Sequence, residues 1–67
     1  MLSARNQFKG TVKSVKLGEV MAEVIIGAGD LEFVALISKQ SAESMKLKAG
    51  DKASAVIKST EVMIAKD

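Results

Sequence analysis

The stretch LEFVALISKQSAESMKLKAGDKASAVIK, residues 31–58, changes its hydrophobic period twice. Leu31–Ser38 is a run of strand formers, with Phe33, Ala35 and Ile37 facing one way and Val34 and Leu36 the other. From Ser38 the spacing lengthens. Hydroxyls recur at Ser38, Ser41 and Ser44, and Ala42, Met45 and Leu47 are apolar. This predicts a short helix starting at Ser38 or Ser41, since either hydroxyl can cap an N-terminus. Lys46 and Lys48 fall toward its end, where cations suit the dipole. KAGD, residues 48–51, reads as a turn, and residues 52–58 return to strand alternation.

Working outward, the flanks are strands. Upstream, Phe8, Gly10 and Val12 alternate with Lys9, Thr11 and Lys13, and the apolar phase then slips by one to Val15 and Leu17. Such a slip predicts a bulge near Ser14. Gly18-Glu19 reads as a tight turn, residues 20–26 as a second strand and GAGD, residues 27–30, as a hairpin loop. Downstream, Ser59-Thr60 is a short join to a fifth strand over residues 61–66. Three strands, a short helix and two strands predict an all-β fold: a five-stranded OB-like barrel with the helix between strands 3 and 4. With no linker composition and no repeat, residues 1–67 read as one domain.

A domain of 67 residues buries only about 60% of its unfolded surface and needs reinforcement. Disulfides are excluded by the absence of cysteine, and structural zinc by the absence of cysteine and histidine. Two strands are apolar on both faces, the second around Met21 and Ile25 and the third at Val34 and Leu36. Strands of that kind are covered on both faces. No layer of helices is available to do this, so the expected cover is other copies of the chain: a homo-oligomer. No apolar run approaches the roughly 18 residues of a membrane span. The start lacks the regions of a signal peptide, and a cytoplasmic protein is expected.

The chemistry is narrow. Without His, Cys or Tyr, the commonest general base, the thiolate and the phenol are gone, and no base is evident for any serine. The acidic residues are scattered and form no cation cluster. Neither phosphate-cradling glycine motif is present. The expectation is no enzyme, no cofactor and no metal cation. What remains is a set of small donors: Ser3 and Arg5 near the start, Ser38 and Ser41 at the helix start, and Lys58, Ser59 and Thr60 at the last junction. A tetrahedral dianion is held by short donors with compensating charge, arginine supplying a fork and lysine a point charge. Each piece also has a plain structural reading. A serine caps a helix, a lysine is solvated, Ser-Thr is turn chemistry, and Arg5 pairs with a carboxylate. The net charge, 10 basic against 8 acidic residues, favours an anionic partner only mildly.

SARNQFKG at residues 3–10 and VIKSTEVMIAK at 56–66, with FVALISKQSAESMKLKAGD between them, closely resemble the Mop family of small molybdate-binding proteins, the molbindins. The resemblance covers essentially the whole chain. It implies an OB-like fold, a hexamer built as a trimer of dimers, and molybdate, usually with tungstate, bound at subunit interfaces. By position it carries the oxyanion-binding role to Ser3, Arg5, Ser38, Ser41, Lys58 and Ser59. Ser3 and Arg5 then come from one subunit and the others from a second, with Asn6 supporting the backbone. It further implies a second class of oxyanion site, formed largely by main chain. Related domains occur fused to regulators and transporter ATPases. A chain with no room for those parts fits free-standing storage or buffering. The alternatives are an OB-fold module for single-stranded nucleic acid, which needs stacking aromatics on a basic groove, and a purely structural oligomerisation module. Only Phe8 and Phe33 are aromatic, and both read as core.

Overall fold

The structure, a computed structural model, describes residues 5–66. Its elements are β1 (Asn6–Leu17), β2 (Met21–Ala28), β3 (Leu31–Ser38), α1 (Lys39–Ser44) and β4 (Lys52–Ile57), followed by a 3-10 turn over Ser59–Glu61. The sheet order is β3-β2-β1-β4, and every neighbouring pair is antiparallel. β1 is the spine: its first half pairs with β4 and its second with β2.

The phase slip in β1 is a bulge. Val12 pairs with Ile26 and Ser14 with Ile25, leaving Lys13 as the extra residue. The extra residue turns Val12 and Val15 to the same, inner face. Val12 is 1% exposed and Val15 half-buried. Lys13 lies over the backbone at Gly27, where a Cβ would come 2.9 Å from its Cδ, and ends in an ion pair with Glu32 at 2.8 Å. This changes the reading of GAGD. Gly27 and Ala28 belong to β2 and pair with Glu32 and Leu31. Only Gly29 and Asp30 turn, with Gly29 at a left-handed φ of 62°. Gly10 faces the inner side of the bend in β1, and a Cβ there would run into the Gly27 carbonyl oxygen.

Ser38 is the N-cap of α1: its Oγ accepts from the Ser41 N–H. The helix closes early. Lys46 has φ 52°, its N–H donates to Glu43 O, and the Leu47 N–H donates to Ala42 O. That pair of bonds is a Schellman closure with lysine at the usual glycine position. Lys46 and Lys48 therefore lie beyond the last helical turn.

The fifth strand is absent from the described residues. Past Lys58 the Glu61 N–H donates to Lys58 O and the Val62 N–H to Ser59 O. These bonds wind the chain into the 3-10 turn, and residues 62–66 run on without regular structure. Alternation alone does not make a strand; backbone groups need a partner ladder, and none of the described strands lies beside 62–66. The architecture is thus a four-stranded curled sheet with one short helix, in place of a five-stranded barrel. Between its edge strands β3 and β4 an apolar cleft of about 470 Å³ stays open.

The buried cluster is small: Val12, Val24, Ile26 and Ala55, with Phe8, Val15, Phe33, Ala35, Ile37, Leu47 and Ala53 half-buried against it. Phe8 and Phe33 stack on each other, ring centroids 4.9 Å apart, so the aromatics serve this core and not a nucleobase platform. On the outer face Val34 is 63% and Leu36 68% exposed. The third strand is apolar on both sides, as its sequence indicates.

Candidate functional site

The first donor cluster is set by the β1–β4 register. Asn6 pairs with Ile57, and both are half-buried. Arg5 and Lys58 are the residues next beyond this last pair, one on each chain segment, and both are exposed. Like charges directly opposite on neighbouring strands repel. Among the described residues neither is relieved by a carboxylate: the ion pair found there joins Lys13 and Glu32. Ser59 follows Lys58 and opens the 3-10 turn, which has no side-chain cap. Thr60 shares that turn and is exposed, so its hydroxyl belongs with this cluster. The Ser-Thr pair in the sequence is the signal for it.

The second cluster is at the other end of β1. Ser38 pairs with Met21, next to the register position where Ala22 meets Leu17, and the Lys39 N–H donates to Val20 O at 2.7 Å. The Ser38 and Ser41 hydroxyls are 2.8 Å apart and share one hydrogen bond. Two hydroxyls sharing one bond keep one O–H free to donate. Both residues are exposed. Ser38 thus acts as a helix cap and as part of a donor pair at once.

The chain brings Ser38 and Ser41 into contact and, separately, places Arg5 and Lys58–Ser59 at the same end of the β1–β4 ladder, just past its last pair. The two groups flank opposite ends of the 12-residue β1. Ser3 lies outside the described residues. The first cluster supplies two positive charges and a hydroxyl pair, with Glu61 in the same 3-10 turn but in no ion pair among the described residues; the second supplies neutral donors. That combination is suited to a small, doubly charged oxyanion.

A family model, the TOBE domain, matches residues 2–64. The chain is 50% identical over 64 residues to molybdenum-pterin-binding protein 3 of Clostridium pasteurianum, covering 94% of each. Its fold superposes on that of a molybdate-binding protein from Sporomusa ovata with a TM-score of 0.93, at 36% identity and covering 98% of both chains. It also matches the cytoplasmic molybdate-binding protein ModG, in a molybdate-bound form, with a TM-score of 0.81 and 46% identity over 85% of this chain and 41% of that one. The chain belongs to the TOBE domain family and, within it, to the molbindins.

Proposed function

We propose that this chain binds molybdate, and tungstate with it, as an intact oxyanion. The observation that carries the proposal is that Arg5 and Lys58, two like charges that repel, flank the Asn6–Ile57 pair, both exposed and neither in an ion pair with a carboxylate among the described residues. A bridging dianion converts that repulsion into two charge-assisted contacts. The Ser38–Ser41 pair lies at the far end of β1, so a site using all of these donors is assembled between copies. Ser3, two residues before Arg5 in sequence, is assigned to the same site. The arrangement we favour is a homohexamer, a trimer of dimers, in which each copy is one domain. Its role is cytoplasmic storage or buffering of the oxyanion, a binding role without chemical turnover or a resident cofactor. The two-faced strands support association, and the molybdate-binding relatives support the ligand.

Calorimetry with molybdate, tungstate, sulfate and phosphate tests this. Heat is expected with the first two and much less with sulfate, which has the same charge and shape but is smaller. Equal affinity for sulfate, or no heat with molybdate, overturns the reading. Arg5→Ala should weaken binding at least tenfold, the scale of one charge-assisted hydrogen bond, while leaving the assembled mass unchanged.

A further inference from the structure

Along the β1–β4 ladder the outer face of the sheet carries a further donor set, used by neither cluster above. Phe8 and Val12 of β1 and Ala53 and Ala55 of β4 pack into the core. Side chains alternate along a strand, so Lys9 and Thr11 of β1 and Lys52 and Ser54 of β4 stand on the opposite face, and all four are exposed. The register places them at the corners of a square. Lys9 pairs with Ser54 and Thr11 with Lys52, on either side of the Gly10–Ala53 pair. The two lysines occupy one diagonal and the two hydroxyls the other. Opposed residues lie about 5 Å apart and same-face neighbours along a strand about 7 Å apart. Gly10 has no side chain and Ala53 points inward, so the floor between the corners is backbone. A hollow of about 220 Å³ opens there, lined by Lys9, Gly10, Lys52, Ala53 and Ser54. The nearby carboxylates are engaged elsewhere. The row through Thr11 runs across Gly27 to Glu32, and Glu32 is in the ion pair with Lys13. Asp51, next to Lys52, accepts from the Lys48 N–H. Among the described residues neither Lys9 nor Lys52 is in an ion pair.

We propose that Lys9, Thr11, Lys52 and Ser54 form a separate anion site on this face, for the phosphoryl group of inorganic phosphate or of a phosphate ester. The donors set the ligand class. Two ammonium groups bring positive charge from opposite corners, and two hydroxyls donate from the other two. Four donors converging on one hollow suit the oxygens of a tetrahedral dianion, and the charge-assisted contacts relieve the mutual repulsion of the two lysines. Lysine is a point charge on a flexible stem, so this site reads charge more than size. In that it differs from the Ser38–Ser41 pair, whose spacing is held by a helix cap. Lys9 lies four residues along β1 from Arg5, about 13 Å at about 3.3 Å per residue, with the Gln7–Val56 pair between. One small anion does not span both positions. The proposal rests neither on the molybdate reading nor on the association of copies.

The full-length protein, labelled with nitrogen-15, is titrated with inorganic phosphate and, separately, with methyl phosphate, at constant ionic strength held with sodium chloride. Saturable shifts are expected at the amides of residues 9–11 and 52–54. A response to both ligands supports a site for the phosphoryl group on any carrier, and a response to inorganic phosphate alone supports a site for the free anion. No saturable shift there with either ligand overturns the proposal, as does the same shift with chloride alone. Lys9→Gln and Lys52→Gln should each weaken the phosphate response about threefold to fivefold, the scale of one exposed ion contact. Lys16→Gln is the control, since Lys16 is an exposed lysine of the same strand that pairs in register with Glu23. It should leave the response within twofold of the parent. Equal weakening by all three substitutions would make the effect one of net charge and overturn the site. Arg5→Ala should keep the response at residues 9–11 and 52–54, and its loss there would move phosphate to the first cluster and overturn a separate site. A protein that gives no heat with molybdate but keeps these shifts would reject the molybdate reading and leave this one standing.

Discussion

Replacing Lys58 with glutamine should move stability and ligand affinity in opposite directions. With the β1–β4 register continued one step past the Asn6–Ile57 pair, cross-strand Cβ atoms lie about 5 Å apart and the long side chains of Arg5 and Lys58 splay their charged heads to about 8 Å. At that separation in water Coulomb's law gives about 0.5 kcal/mol of repulsion. Lys58→Gln removes the charge and keeps a hydrogen-bonding head of similar reach. The ligand-free protein should then gain about 0.5 kcal/mol, which for a domain of this size raises Tm by about 2–4 °C. The gain should vanish at about 1 M salt, where the screening length falls to about 3 Å. Binding should go the other way. A charge-assisted hydrogen bond contributes about 1.5–3 kcal/mol, so the oxyanion affinity should fall about tenfold to a hundredfold. The two effects produce a crossover. At a ligand concentration of about 100 times the parent Kd, the parent chain gains about 2.7 kcal/mol from binding. A variant weakened about thirtyfold gains only about 0.9 kcal/mol by the same relation. The variant is thus the more stable protein without molybdate and the less stable with it. Thermal unfolding at fixed protein concentration, with and without molybdate and at two salt concentrations, reads all of this. A lower Tm for the ligand-free variant, or an undiminished shift with molybdate, would refute the opposed-cation reasoning.

Two further predictions concern the frame that holds the clusters. Gly10→Ala should lower Tm by about 10 °C, because the new methyl meets the Gly27 carbonyl oxygen, a backbone atom fixed by the β1–β2 ladder; overpacking of this kind costs about 1–3 kcal/mol. A melting curve within 2 °C of the parent would show that β1 bends elsewhere. Ser38→Ala removes the cap accepted from the Ser41 N–H and should cost about 1 kcal/mol, read as faster hydrogen exchange at the Ser41 amide; unchanged protection there would mean the helix start is held by something other than the Ser38 hydroxyl.

What was legible in the sequence follows the range over which each feature is determined. The bulge in β1 shows as a phase slip between Val12 and Val15 because the residues that bury are its own neighbours in sequence. Leu31–Ser38 and its cap are equally local: the Ser38 hydroxyl needs only an N–H three residues on. Gly27 was misread for the opposite reason. Its lack of a side chain accommodates Lys13, which crosses from another strand on its way to Glu32, and a pattern read along one segment carries no trace of that crossing. Ser59 and Lys58 are recognisable as donors by type, whereas the nearness of Arg5 and Lys58 to one end of the sheet follows from the β1–β4 register, which ends at the Asn6–Ile57 pair, a long-range property. The missing fifth strand has the same cause. The alternation at Val62, Met63 and Ile64 reports how those side chains would lie in a sheet and says nothing about which sheet. The separation of the two donor clusters to opposite ends of β1 is long-range in the same way, since only the register of the sheet shows that one copy holds them apart.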